Sequence, residues 1–170
     1  MERWISVLGL FTMLALAWVS LLALGVFFFG DLLDKQHNPN QSLQTRYTEG
    51  GVREVVLQRN KFGHYVTSGE INGMPVTFIL DTGATGVAIP AKIARTLGLK
   101  RGRAFPTQTA NGTSTSYMTM LDRVSVGAIE QREVAAGITP GLQMDEVLLG
   151  MSFLKHIEFT QKGNTLVLRQ

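Results

Sequence analysis

The sequence predicts a mostly β domain behind a single membrane-spanning helix. Three observations predict it. Trp4 to Gly30 is a run of 27 residues without a charge. From Val52 onward, short runs rich in Val, Ile and Thr alternate with Gly, Pro and Asn-Gly punctuation, the pattern of strands joined by tight turns. Only one later segment, between Pro90 and Gly98, keeps clear helical spacing.

Composition narrows the function. A chain of 170 residues has room for one ordinary domain plus an appendage. The net charge is +3 and the basic residues form no single long block, so nucleic acid is not expected as a partner. Without cysteine there are no disulfides, thiolate zinc sites or cysteine nucleophiles. His37, His64 and His156 are scattered without ligand spacing, and no metal or other cofactor is expected.

As a helix, the apolar run reaches about 40 Å, more than the roughly 30 Å hydrocarbon core of a bilayer. Ala23-Leu24-Gly25 is compatible with signal-peptide cleavage, yet Val26-Phe27-Phe28-Phe29 continues the apolar run beyond it. An uncleaved anchor is therefore expected. A buried helix of a soluble core is the rival, but few such helices are apolar on every face. The expected division is a tail and transmembrane anchor over 1–30, a polar linker over 31–51 and a domain over 52–170. Asn38-Pro39-Asn40 and Gly50-Gly51 break the linker, which stretches to about 70 Å at most. Arg3 precedes the anchor, and Asp31, Asp34 and Lys35 follow it. The positive-inside rule then keeps the short tail in the cytoplasm and exports the domain.

Within the domain, Val52 to Leu57 reads as a strand and Asn60-Lys61-Phe62-Gly63 as a turn. Tyr65 to Ile71 is a second strand. Asn72-Gly73 then signals a hairpin into Val76 to Leu80, which ends at Asp81. Val87 to Ile89 is a short apolar run. Pro90 opens a helix in which Ile93, Ala94 and Leu97 share a face up to Gly98. Lys92, Arg95, Lys100, Arg101 and Arg103 read as a solvated basic face. Pro106 to Leu121 is rich in hydroxyls about Asn111-Gly112, which suggests an exposed hairpin. Val124 to Val126 and Val134 to Ile138 are strands around Gly127. Val147-Leu148-Leu149 closes on Gly150, and Met151 to His156 has the length of one or two helical turns. Ile157 to Thr160 and Thr165 to Leu168 pair across Lys162-Gly163-Asn164 as a closing hairpin.

The chemistry concentrates in Phe78-Ile79-Leu80-Asp81-Thr82-Gly83-Ala84-Thr85. A carboxylate at the end of an apolar strand is costly to bury unless it is hydrogen-bonded or used. Asp-Thr-Gly alone is too common by chance to carry a conclusion. An aspartate that hydrolyses a bond near neutral pH needs a device, and one such device is a second carboxylate sharing its proton. The ionised member takes a proton from the attacking water, and the protonated member supports the oxygen that becomes charged. Thr82 can fix the loop by hydrogen bonding, and Gly83 allows close backbone approach. This mechanism needs two acids, and the arrangement occurs once.

Leu80-Asp81-Thr82-Gly83-Ala84-Thr85 resembles the active-site loop of aspartic proteases. Leu148-Leu149-Gly150, followed by a short helix, resembles the segment that packs behind that loop in retroviral-type proteases. The Asn111-Gly112 hairpin stands where that family has its flap. With one membrane helix in front, the chain resembles the membrane-anchored retropepsin-like (clan AA) proteases of proteobacteria. The resemblance implies an all-β retropepsin-like acid protease barrel with one short helix, acting as an aspartic endopeptidase. It implies a homodimer in which each subunit gives one Asp81 to a shared site, with Thr82 and Gly83 beside it. Ala84, Thr85, Leu148, Leu149 and Gly150 would support that site. Ala110, Asn111 and Gly112 would contact an extended peptide or protein substrate, with Tyr117 as a candidate flap aromatic. It also implies an inner-membrane protein held in the lipid bilayer through residues 4–30, its protease domain in the periplasm. Tethering both copies in one membrane raises their effective concentration. The competing reading is a non-catalytic binding or scaffold module on the same fold, with Asp81 capping a turn. Capping alone does not call for apolar residues before the acid and Gly-Ala-Thr after it, which favours proteolysis.

Overall fold

The computed structural model describes residues 2–48, 50–109 and 112–170, with the side chains of residues 2–8 and Thr109 outside that description. The chain forms two compact units, which divide between Gln36 and His37.

The first unit is helix α1 (Glu2–His37), whose last residue belongs to the second unit. From Gly9 to His37 it is long and apolar enough to cross a membrane, and none of that window is buried. Large side chains such as Phe11, Trp18, Leu22 and Phe28 are exposed around it, so it has no polar face to turn to water. The helix continues past Gly30 through the first part of the expected linker. Asp31, Leu32, Leu33, Asp34 and Lys35 include no helix breaker, and the first one comes at Asn38-Pro39.

More of the expected linker is built into the second unit. Asn38 and Asn40 are buried. The Asn40 amide donates to the carbonyls of Gln58 and Val66, and its Oδ1 accepts the Gln58 N–H at 2.7 Å. Burial of this side chain is therefore compensated bond for bond. Strand β1 (Thr45–Tyr47) follows and pairs antiparallel with β2 (Arg53–Gln58). The stretch over 31–47 thus holds the end of the helix, a buried anchor and an edge strand in turn.

Two sheets make the second unit. The smaller has the order β1-β2-β11-β10, where β10 is Glu158–Lys162 and β11 is Thr165–Arg169. The larger contains β3 (Tyr65–Ile71), β4 (Met74–Leu80), β5 (Val87–Pro90), β6 (Ala104–Thr109), β7 (Gly112–Val126), β8 (Ile129–Thr139) and β9 (Val147–Leu149). Its order is β3-β4-β9-β5-β8-β7-β6. Asn72 and Gly73 both take positive φ, 51° and 80°, which is why that pair makes the two-residue turn between β3 and β4. The core is filled by Val55, Leu57, Ile71, Phe78, Ile89, Leu121, Leu149, Phe153 and Leu168, drawn from both sheets and the second short helix.

Two short helices accompany the sheets. Helix α2 (Ala91–Thr96) starts immediately after Pro90, whose fixed φ suits a helix entry. Helix α3 (Met151–Leu154) is the single turn that follows Gly150 and buries Phe153 and Leu154. Beside the one clear helix expected after Pro90, α3 is the turn expected between Met151 and His156, stabilised by these buried side chains rather than by its length.

Candidate active site

Asp81 is the first residue beyond β4. Strand β9 runs parallel to β4 and brings Leu148 opposite Ile79 and Leu149 opposite Leu80. On its other side, Leu148 pairs with Ala88 of β5. The three-residue strand thus bridges the chain entering the acid turn and the chain leaving it.

Backbone hydrogen bonds hold the turn. Asp81 N–H donates to the Leu149 carbonyl at 3.2 Å, and Ala84 N–H donates to the Asp81 carbonyl at 3.2 Å. Gly83 N–H donates to Asp81 Oδ1 at 2.9 Å, which orients the half-buried carboxylate. From behind, Met151 N–H donates to the Ala84 carbonyl at 2.9 Å. Gly150 presses against the same loop: a β-carbon there would lie 2.3 Å from the Gly86 oxygen and 2.6 Å from the Ala84 oxygen. No side chain fits in that space.

The fold therefore gathers Asp81, Thr82, Gly83 and Ala84 against Leu148, Leu149 and Gly150. Thr85 is exposed on the outgoing limb of the turn. Thr82 is exposed as well, and with Tyr65, Leu80, Leu154 and Phe159 it lines a cavity of about 170 Å³.

Ser152 has a role that the sequence does not signal. Its Oγ accepts the Val87 N–H at 3.0 Å and donates to the Ala135 carbonyl at 2.8 Å, tying α3 to β5 and β8. A serine in a one-turn helix carries no local sign of such a role.

The hairpin of β6 and β7 pairs from Ala104 with Tyr117 to Thr109 with Gly112. Ala110 and Asn111 lie outside the described residues. Gly112 opens β7 with φ of 105°, in the left-handed range that glycine tolerates. Tyr117 pairs with both Ala104 and Ile138, so it sits at the base of the hairpin, where β8 joins. The Arg101 guanidinium lies 4.9 Å from the Tyr117 ring centre. Nearby, the Ser116 and Thr139 hydroxyls are buried and hydrogen-bonded at 2.9 Å.

The basic segment is partly engaged. Lys92 bonds to Asp145 at 2.8 Å and, by that hydrogen bond and its charge, holds the carboxyl below its ordinary range. Among the described residues, no group of three His, Asp or Glu side chains could hold a metal ion.

A family model described as gag-polyprotein putative aspartyl protease matches residues 67–156 of the chain, a span that holds both the acid turn and Gly150. An uncharacterized protein in the cobV 5' region of a Sinorhizobium species is 34% identical over 114 residues, covering 65% of this chain and 49% of that protein. An uncharacterized protein of Rickettsia prowazekii is 29% identical over 110 residues, 63% of this chain and 47% of its own length. The chain thus spans about half the length of the curated relatives it matches. Among solved structures, it is similar to a retropepsin-like aspartic protease from Rickettsia conorii. That match has 28% identity and a TM-score of 0.60, and covers 75% of this chain and 95% of the other. With more than half of its residues inside the family model and the acid turn built as described, the chain belongs to the retropepsin-like aspartic proteases.

Proposed function

We propose that the chain is a membrane-anchored aspartic endopeptidase whose site is shared by two copies, each contributing Asp81. The observation that carries this reading is the acid turn itself. Its carboxylate is oriented by Gly83 N–H and backed by Leu149, Gly150 and Met151, and the sequence contains that turn once. This sequence supplies one such carboxylate, and the mechanism needs two.

In the shared site, the ionised Asp81 takes a proton from a water whose oxygen attacks the peptide carbonyl carbon. The protonated Asp81 of the other copy gives its proton to the carbonyl oxygen. The tetrahedral intermediate collapses as a proton passes to the amide nitrogen and the C–N bond breaks. Thr82 and Gly83 keep the two turns in place, and Ala84, Thr85, Leu148, Leu149 and Gly150 support them. The substrate lies extended along the β6–β7 hairpin, held by main-chain hydrogen bonds, with Ala110, Asn111 and Gly112 as its candidate contacts. Helix α1 anchors the enzyme in the inner membrane, with Arg3 on the cytoplasmic side and the protease domain in the periplasm.

The test is Asp81→Asn in the full chain, assayed with a peptide library. Cleavage is expected to vanish while thermal unfolding and dimerisation are unchanged, because the substitution is nearly isosteric. Undiminished cleavage by this variant contradicts the proposal.

A further inference from the structure

We propose that the exposed cations leading into the β6–β7 hairpin form a docking surface for an acidic segment of the protein substrate, outside the stretch that is cleaved. This rests on the endopeptidase reading and adds the kind of substrate that the enzyme recruits. From Thr82 to Leu121 the chain contains no Asp or Glu, yet Lys92, Arg95, Lys100, Arg101 and Arg103 all fall there. Lys92 is paired with Asp145 at 2.8 Å. Arg95, Lys100, Arg101 and Arg103 are exposed, and among the described residues none of them has an acidic partner. By contrast, Arg123, Arg132 and Arg169 each hold a glutamate. Between residues 95 and 103 the positive charge is left without an internal counter-ion.

The segment is fastened to the base of the hairpin. Gly102 N–H donates to the Met118 carbonyl at 2.7 Å, and Met118 N–H donates to the Arg103 carbonyl at 2.9 Å. The Arg101 guanidinium stands over the Tyr117 ring, which positions one cation without neutralising it. A β-carbon on Gly102 would lie 3.7 Å from that of Met118, so the Met118 side chain leaves its strand beside the cations. Met118 and Met120 share one face of β7 and are 46% and 57% exposed. Their thioethers are flexible and adapt to varied contact surfaces.

Charge identifies the occupant. Guanidinium and ammonium groups with no carboxylate of their own accept one from outside, and a hydrogen-bonded backbone lowers the cost of ordering them. The methionines beside them suit a peptide that carries apolar residues among its acids. The surface adjoins the hairpin along which the cleaved stretch lies, so one substrate chain can meet both. That continuity favours substrate over an anionic lipid surface as the occupant. Exposed charges act chiefly on encounter and fade with salt, so the gain falls on kcat/KM at low ionic strength.

The test uses the full chain in neutral detergent micelles at low salt. A peptide that it cleaves is made in two forms, one with a glutamate-rich tail and one with the matching glutamine-rich tail. The glutamate form is expected to show a kcat/KM about tenfold higher, mainly through KM, and to lose that advantage in high salt. The K100E/R103E chain is expected to lose or reverse the preference while cleaving the glutamine form at the wild-type rate. K100Q/R103Q removes the charge without inverting it and is expected to lose the preference too, which keeps the test intact should the reversal disturb the hairpin. Equal cleavage of the two forms by wild type, or a preference that survives in both variants, overturns the docking surface and leaves the endopeptidase reading standing. Suppose instead that phosphatidylglycerol bilayers shield Met118 and Met120 from peroxide in wild type but not in K100E/R103E, with the glutamate preference unchanged. The occupant is then a lipid surface, and the proposal is overturned. Failure to cleave any peptide overturns the endopeptidase reading and this proposal with it.

Discussion

Gly150 lies so close to Gly86 that a β-carbon at position 150 would stand 2.3 Å from the Gly86 carbonyl oxygen. The obstacle is backbone rather than a flexible side-chain end, so the acid turn itself has to shift to admit a methyl group. Gly150→Ala is expected to destabilise the domain by about 1–3 kcal/mol and to lower peptide cleavage more than its stability loss explains. Urea unfolding and cleavage assays on the same preparation check this; wild-type values in both count against a supporting role for Gly150.

Ser152 tests the next layer of support. Removing its hydroxyl leaves the buried Val87's N–H without its acceptor and frees the Ala135 carbonyl. Ser152→Ala is expected to cost about 1–2 kcal/mol, read as a lowered urea midpoint with an unchanged slope. Ser152→Thr, which keeps the hydroxyl, is expected to lose less.

Asn40 anchors the entry to the domain. Asn40→Ala strands the Gln58 N–H and two carbonyls that its amide satisfies, at Gln58 and Val66. A loss of about 2–3 kcal/mol is expected, with earlier amide exchange at β2 and β3 than elsewhere. A variant as stable as the wild type shows that residues 38–40 are dispensable to the fold.

These residues also mark what the sequence makes legible. Asn72-Gly73 is readable because its positive-φ requirement is local, and the strands on either side follow from it. Asp81 is readable because its strand, turn and glycine are consecutive. Gly150 is readable only through its likeness to a known pattern, since the insertion of β9 between β4 and β5 joins residues about seventy positions apart. Asn38-Pro39-Asn40 reads as a flexible break because short polar residues favour loops, yet distant backbone groups make Asn40 a buried anchor. The role of Ser152 is likewise created by contacts that no local window contains. The helix end moved from Gly30 to His37 because loss of hydropathy does not end a helix; a breaker does.

The reading of Asp81 as half of a site is tested most directly by mixing wild-type chain with Asp81→Asn chain at constant total concentration and allowing full exchange. Only dimers with two intact Asp81 side chains cleave, so an equal mixture retains about one quarter of the activity of wild type alone. A plot of activity against wild-type fraction then follows a square law. A straight line, with about one half of the activity remaining at the equal mixture, contradicts the shared site, since each chain would then be acting alone.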